Sequence, residues 1–361
     1  MASAPDDLLS FVSQVGGDRQ LRVEENLGAG FVRLRVAEAE RRQAKHDIRS
    51  VEDAVIEMLR NARDAGARHV YVATSREANL RTTTIIDDGD GIPPAMHQRI
   101  FDARVTSKLD TMRMDRWGVH GRGMALYAIR ENVESVCVVS SDVGKGASIQ
   151  LVSDAQRLSE RADQSTWPHL GTDDEGNQSI VRGPRNIIRT CCEFALEEHG
   201  ACEVYLGSPA DIVATARRRV RPSLSHTDLL FLDDLEELPV LERLSAAADA
   251  VELAQVAQGV GLSISERTAH RIIAGEIRPL RSVWSRLTHR SAKGNNEGIV
   301  DLQRDRRGLH ISEKDMGYFL RLMERDFSIL GERYYLTLAS DPKMRISKGK
   351  ITVTFEVRES D

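Results

Sequence analysis

Three short stretches, within about seventy residues of one another, carry carboxylates, a carboxamide and glycines whose types and spacing could do chemistry. The first is Glu57-Met-Leu-Arg-Asn61-Ala-Arg-Asp64. Its Glu57, Asn61 and Asp64 are spaced four and three apart and so share one face of a helix. A carboxylate one turn from a carboxamide suits a water-activating base beside an oxygen ligand for a hard divalent cation. A solvated charged face has the same pattern. The second stretch, Asp87-Asp-Gly89-Asp-Gly91-Ile92-Pro, directly follows a β-rich run. A carboxylate at a strand end can accept a hydrogen bond from an exocyclic amine, and the glycines let the backbone bend against a planar ligand. Acidic glycine turns also bind calcium, but an EF-hand is excluded because the closing Glu of the loop and its flanking helix pair are missing. The third, Gly118-Val-His-Gly121-Arg122-Gly123-Met124, opens a helix. Glycines before a helix N-terminus expose amide N–H groups that can cradle phosphate, although an ordinary flexible loop reads the same way. Neither a Walker A loop nor a Rossmann fingerprint fits, for want of the Lys-Ser/Thr pair and of the βαβ setting.

These residues require a helix, a strand end and a loop to hold them. Ser50 before Val51-Glu-Asp is an N-cap with acids in the first turn, and Val51, Ala54, Val55, Met58, Leu59 and Ala62 repeat at helical spacing. Gly66 ends that helix. Phe31 to Glu40 also has near-helical apolar spacing, so the whole of 18–67 is predicted helical. Residues 69–74, 82–87, 136–141 and 147–152 read as strands, the last two joined by Gly144-Lys-Gly, and 123–131 reads as a helix. The chain turns polar over 153–178, which predicts a boundary or a long loop. Residues 183–221 read as helix, strand (202–206) and a helix ending in Arg217-Arg-Arg-Val-Arg. An acidic, leucine-rich stretch (228–242) precedes a helical region (245–290) and a polar linker (289–296). A helix (313–324) and a paired set of strands (334–338 with 351–357) complete the prediction.

The composition bounds the answer. With 361 residues, 41% of them hydrophobic, the chain holds more than one core and is not wholly disordered. A net charge of −5 excludes a globally basic nucleic-acid coat or a polybasic membrane binder. The 50 basic residues divide into 8 Lys and 42 Arg, a bias that often reflects genome composition. Cys137, Cys191, Cys192 and Cys202 form no C-x-x-C pair and read as no metal framework, in keeping with a reducing cytoplasm. The N-terminal stretch lacks a signal-peptide pattern, and no run approaches a membrane span. A cytoplasmic protein that does not enter the membrane is expected.

Taken in order, the three stretches resemble the GHKL ATPase superfamily of gyrase B-type topoisomerases, ninety-kilodalton chaperones, histidine kinases and MutL-type mismatch repair proteins. Glu57-x-x-x-Asn61 is similar to its N-box, Asp87-x-Gly89-x-Gly91 to its first glycine box, and Gly118 to Gly123 to its second. Asn61-Ala-Arg-Asp-Ala-Gly-Ala, Thr106-Ser-Lys108 and Gly121-Arg-Gly-Met-Ala-Leu look most like the MutL branch, and Gly144-Lys-Gly-Ala-Ser like histidine kinases. The resemblance covers residues 45–152. It implies an α+β fold whose first part is a Bergerat-type α/β sandwich, with helices on one face of a mixed sheet, binding ATP and Mg²⁺. It also implies that Asp87 reads the adenine amino group, Asn61 holds Mg²⁺ and Glu57 activates the attacking water. Asp64, Gly89, Gly91, Ile92, Gly121, Gly123 and Met124 would shape the nucleotide walls. Residues 102–122 would form a mobile lid, with Lys108 or Arg122 as phosphate contacts and Thr106 and Gly118 among the cofactor-binding residues. The domains expected on this basis are 1–155 for ATP binding, 156–225 as an α/β extension, 226–292 as a mainly helical region and 293–361 as a small C-terminal α/β segment. Residues 178–225 are too short for a complete transducer domain, and no Lys lies between Lys145 and Lys293 to reach a γ-phosphate.

A second resemblance, over residues 252–279, is to a helix-turn-helix. Ser265-Glu-Arg267-Thr268 caps a helix that Gly275 ends, as in a recognition helix, and Arg267 and Arg271 stand one turn apart. Gly259 and Ser263 stand where Ala and Gly are usual. Residues 251–292 hold six Arg against three Glu, a local excess of three positive charges inside an acidic chain. Together these imply an ATPase that couples its nucleotide state to a C-terminal DNA- or protein-binding module. Duplex DNA at 252–290, a protein partner or a second copy of the chain would be the partner. Two alternatives stay open: a signalling kinase or anti-regulator using the same ATP site, and a DNA-binding regulator whose ATP site senses without turnover.

Overall fold

Ser50 starts the helix that carries the first motif, its hydroxyl accepting the Asp53 backbone N–H at 3.2 Å. Glu52 and Asp53 fill the first turn, where carboxylates suit the positive helix end. Val51, Ala54, Val55, Met58, Leu59 and Ala62 are all buried, so the apolar stripe faces a core. Gly66, at φ 74°, takes the left-handed conformation that stops the helix. A computed structural model of the protein describes residues 23–107, 113–120, 123–172, 178–224, 226–229, 231–232, 234–294, 313–347 and 350–359. They form two compact units, Met1–Thr288 and His289–Asp361.

The first unit begins with β1 (Val23–Gly28), β2 (Phe31–Leu34), α1 (Glu38–Asp47), α2 (Val51–Asp64), β3 (His69–Glu77) and β4 (Leu80–Asp87). Then come β5 (Val105–Thr106), β6 (Arg113–Asp115), β7 (Gly118–His120), α3 (Ala125–Asn132), β8 (Ser135–Ser141) and β9 (Ala147–Asp154). They are followed by β10 (His169–Thr172), β11 (Gln178–Arg182), α4 (Ile187–Glu197), β12 (Glu203–Gly207) and α5 (Pro209–Arg219). The unit closes through α6 (His226–Leu229), α7 (Val240–Ala246), α8 (Ala250–Gly259), α9 (Glu266–Ile273) and the first half of α10 (Val283–Gly294).

The all-helical expectation for 18–67 is wrong at its start, since residues 23–34 are a β-hairpin; residues 18–22 lie outside the described set. Phe31 to Leu34 alternate between half-buried and buried, which is the period of a strand. Gly28, Ala29 and Gly30 all take positive φ, which turns the chain back on itself. Apolar residues separated by single arginines fit both periods over so short a window, and the glycine turn decides between them.

Among the described residues the central sheet has five strands in the order β12-β3-β4-β9-β8. β12 and β3 run parallel and the remaining pairs antiparallel, so the sheet is mixed, as expected. Its pleat sends Val70, Val72, Ile85, Ile149, Leu151, Val204 and Leu206 to one face, where α1 to α4 cover them. Tyr71, Ala73, Ile86 and Tyr205 point the other way into a second core built with α5, α7, α8 and α9. To the sandwich with helices on one face this chain adds a second helical layer. Leu244, Leu253 and Leu262 in that layer are fully buried, each burial being worth about 1.5–3 kcal/mol. The turn between α8 and α9 is also bonded to the sheet. Its Val260 carbonyl accepts from Ser148 Oγ at 2.8 Å, and its Gly261 carbonyl accepts from Thr84 Oγ1 at 2.9 Å and Gln150 Nε2 at 3.0 Å.

The stretch expected to be a polar loop contains β10, which pairs antiparallel with β11 at and beyond its end. The linker expected at 289–296 is a continuation of α10 as far as Gly294. In the second unit, α11 (Glu313–Tyr334) runs ten residues past the expected end, and β13 (Leu336–Leu338), β14 (Lys343–Ser347), β15 (Lys350–Thr354) and β16 (Val357–Glu359) follow. β13 pairs with β16 and β14 with β15, in place of the single expected pair. Lys343 and Arg345 give β14 too polar a profile to read as a strand. Phe327 of α11 stacks on Phe355 at 5.2 Å.

Candidate nucleotide site

α2, the end of β4 and the segments flanking α3 enclose a cavity of about 430 Å³. Ile85, Ala147 and Ile149 of the sheet and Met58 and Ala62 of α2 contribute apolar walls, and Glu57, Asn61, Asp64, Asp87 and Asp90 supply polar groups. Of the residues singled out from sequence, Glu57, Asn61, Asp64, Asp87, Gly91, Ile92, Thr106, Gly123 and Met124 line this one space. Gly89 and Gly118 do not line it, and Lys108, Gly121 and Arg122 lie outside the described residues.

Asp87 is the last residue of β4, where register pairs it with Val70 on one side and Ala147 on the other. It is 7% exposed, and its Oδ1 accepts the Gly89 N–H at 2.9 Å. Close backbone approach explains the glycines that follow. A Cβ on Gly89 would stand 2.7 Å from the Ala65 carbonyl oxygen at the end of α2. Gly91, at φ +73°, packs against the Asp142 carbonyl, which a Cβ would approach to 1.9 Å. Gly146, in the β8–β9 turn, packs against the Asp87 carbonyl, 2.2 Å from its own would-be Cβ. Ser141 bridges the two turns, accepting the Ile92 N–H and donating to the Gly146 carbonyl, both at 2.7 Å. The first glycine motif is thus wedged between the end of α2 and the β8–β9 turn. Ser141 and Gly146 were not foreseen as parts of this site, because their role is visible only once β8 and β9 are paired.

Asp88, beside Asp87, accepts the Arg68 and His69 N–H groups at 2.7 and 2.8 Å and contacts His69 Nδ1 at 2.7 Å. Burial pushes the Asp88 carboxyl up, but the hydrogen bonds from His69 and Arg68 outweigh it and hold it below the ordinary carboxylate range. The Asp88 hydrogen bond in turn raises His69 against the opposing effect of burial. The pair pins the turn after β4 to the start of β3.

On α2, Glu57 accepts from Arg60, and the buried Asn61 Nδ2 has no hydrogen-bond partner. Arg60 and Arg63 reach out to Asp115 of β6. Burial works against the charge on Arg63, and its bonds to Asp64 and Glu198 more than restore it. These arginines share the helical spacing of Glu57 and Asp64, which is the one signal in the sequence that could have marked them.

The residues that resemble a helix-turn-helix lie in the second layer, across the sheet from the cavity. Ser265 caps α9, accepting the Thr268 N–H at 3.2 Å. Ala269 and Ile272 anchor α9 in the core, Thr268 is half-buried, and Arg267 and Arg271 are exposed. Arg271 pairs with Glu276 at 2.9 Å. The left-handed glycine of this turn is Gly261, at φ 79°, two residues before Ser263. Among the described residues no helix is long and apolar enough to cross a membrane.

Residues 46–157 match the family described as histidine kinase-, DNA gyrase B-, and HSP90-like ATPase. A stretch of 83 residues is 45% identical to the DNA mismatch repair protein MutL of Thermus aquaticus, covering 23% of this chain and 15% of that protein. Over 82 residues the chain is 42% identical to the DNA mismatch repair protein MutL of Thermus thermophilus, again 23% of this chain and 15% of the relative. The match therefore spans less than a sixth of these relatives' own length. With the mixed sheet, the helical face over it and the cavity lined from all three motifs, residues 46–157 constitute a domain of the histidine kinase-, DNA gyrase B- and HSP90-like ATPase family.

Proposed function

We propose that this chain binds ATP with Mg²⁺ in the 430 Å³ cavity, hydrolyses it, and couples the nucleotide state to a DNA- or protein-binding surface on its second helical layer. The observation that carries this reading is the convergence of three separate sequence motifs on one cavity, with Asp87 buried at its end. Asp87 accepts a hydrogen bond from the adenine amino group, and the glycine turns leave room for the ring. Asn61 lines the cavity with a buried amide nitrogen that has no partner in the protein. Because amide oxygen and nitrogen exchange places by a simple flip, this group fits an oxygen ligand for Mg²⁺, a cation that takes few protein ligands beside phosphates and water. When bound, Mg²⁺ neutralises charge on the phosphates. Glu57 takes a proton from a water molecule as the water oxygen bonds to the γ-phosphorus. The bond from that phosphorus to the β,γ-bridging oxygen breaks, and ADP leaves with the electron pair.

MutL, by its name a DNA mismatch repair protein, supports DNA as the partner class, and Arg267 and Arg271 on the exposed side of α9 are the contacts proposed. The decisive experiment measures ATP affinity and turnover in Glu57→Ala. Binding is expected to persist while turnover falls by about 10²–10⁴, the usual worth of a general base. Unchanged hydrolysis would remove Glu57 from the reaction.

A further inference from the structure

A buried cluster of charges joins α2 to the β6–β7 hairpin. The Arg60 side chain is 3% exposed. Its Nε and Nη2 donate to the two oxygens of Asp115, each at 2.9 Å, Nη2 also donates to the Gly118 carbonyl at 2.9 Å, and Nη1 donates to Glu57. The Asp115 side chain is 6% exposed and accepts a further bond from Arg63 at 3.2 Å. Arg63 in turn reaches Asp64 at 2.9 Å and Glu198, at the end of α4, at 3.0 Å. Apolar residues of similar size commonly stabilise a fold as well as a buried ion pair does, so such a cluster is poorly explained by stability alone. What it supplies is geometry: a planar fork gripping a carboxylate at two points fixes orientation in a way an ammonium does not. Trp117, two residues past Asp115, lines the cavity, whereas Arg60 does not. The hairpin is therefore at once a wall of the cavity and the anchor of Arg60.

We propose that Arg60 is the positioning residue for Glu57 and that Asp115 is its anchor, so that one guanidinium holds both the cavity wall and the carboxylate that takes the proton from water. The inference rests on the reading of Glu57 as the general base. Because Asp87 is held by its strand register and by the Gly89 N–H and not by the fork, disturbing the fork displaces Glu57 and leaves the nucleotide contacts of Asp87 in place.

The test compares Arg60→Lys and Asp115→Asn, in the full chain, with the wild type and Glu57→Gln. ATP affinity is measured by calorimetry and kcat by phosphate release. In each single variant Kd is expected to stay within about threefold while kcat falls about 10–100-fold, as small displacements of a catalytic group do. The double variant should be no slower than the slower single one, since the fork acts as a unit. If a single variant fails to fold, Arg60→Met/Asp115→Leu replaces both partners of the fork with apolar residues and is expected to give the same loss of kcat at unchanged Kd. Wild-type kcat in the variants that fold, with Glu57→Gln inactive, overturns the positioning role and leaves the base assigned. Full activity in Glu57→Gln overturns the base itself. A matched loss of affinity and kcat makes the cluster a folding element only and overturns the proposal as well.

Discussion

At the scale of single residues the site is a small number of polar groups, of which Asp87 is buried and tied down by backbone. Asp87 is held by its strand register and by the Gly89 N–H, so its carboxylate is oriented before any ligand arrives. Replacing it with Asn keeps the size and removes the charge. Asp87→Asn is expected to weaken ATP binding by about 1.5–3 kcal/mol, the range of a charged hydrogen bond. Calorimetry returning wild-type affinity would take Asp87 out of the site. Glu57, Asn61 and Asp87 were legible because their spacing and their place after a helix face or a β run are local signals. The Arg60–Asp115 fork was not, because its partners are 55 residues apart and only the fold brings them together.

At the scale of elements, the strongest signals in the sequence came from α2, β3 and β4. Each combines a clear period with a chemical stop, such as Ser50 and Gly66 around α2. The hairpin of β1 and β2 was hidden because four residues fit either period and a glycine turn alone decides. The glycine turns are the elements on which the site depends most. Gly91 combines a positive φ of +73° with a would-be Cβ only 1.9 Å from the Asp142 carbonyl oxygen. Gly91→Ala is therefore expected to lower stability by at least about 1–2 kcal/mol, the cost of the left-handed conformation alone, before the clash moves the turn. Chemical denaturation checks the stability, and a titration with ATP checks whether the displaced turn also weakens binding. A wild-type midpoint would mean that the turn relaxes without cost.

At the scale of the whole molecule, the nucleotide cavity and the arginine-bearing helix α9 occupy opposite faces of one sheet. The composition is blind to this, since a net charge of −5 averages the acidic cavity with the arginines on the far side. The helical content of 245–290 was legible from its periodicity. Its docking on the sheet was not, because the side chains that hold it, Thr84, Ser148 and Gln150, are ordinary polar residues of strands more than a hundred residues earlier. Arg267→Ala/Arg271→Ala removes two exposed charges that the core does not use. It is expected to leave stability within about 0.5 kcal/mol. Duplex DNA binding should weaken, with a salt dependence shallower by about 0.9 for each phosphate that is no longer neutralised. If the wild type shows no binding to duplex DNA at low salt, the DNA assignment of this face falls.

The clasp of Ser148, Thr84 and Gln150 on the carbonyls of Val260 and Gly261 also bears on the coupling proposed between the two faces. Two bodies on a flexible tether signal by swinging apart and together, and mutations in the tether leave both bodies working. Here the strand that ends in Asp87 is the strand whose Thr84 grips the turn before α9, so there is no tether to swing. The coupling proposed between the faces would therefore pass through the thickness of the sheet, by β4 and β9, the strands that carry Thr84, Ser148 and Gln150.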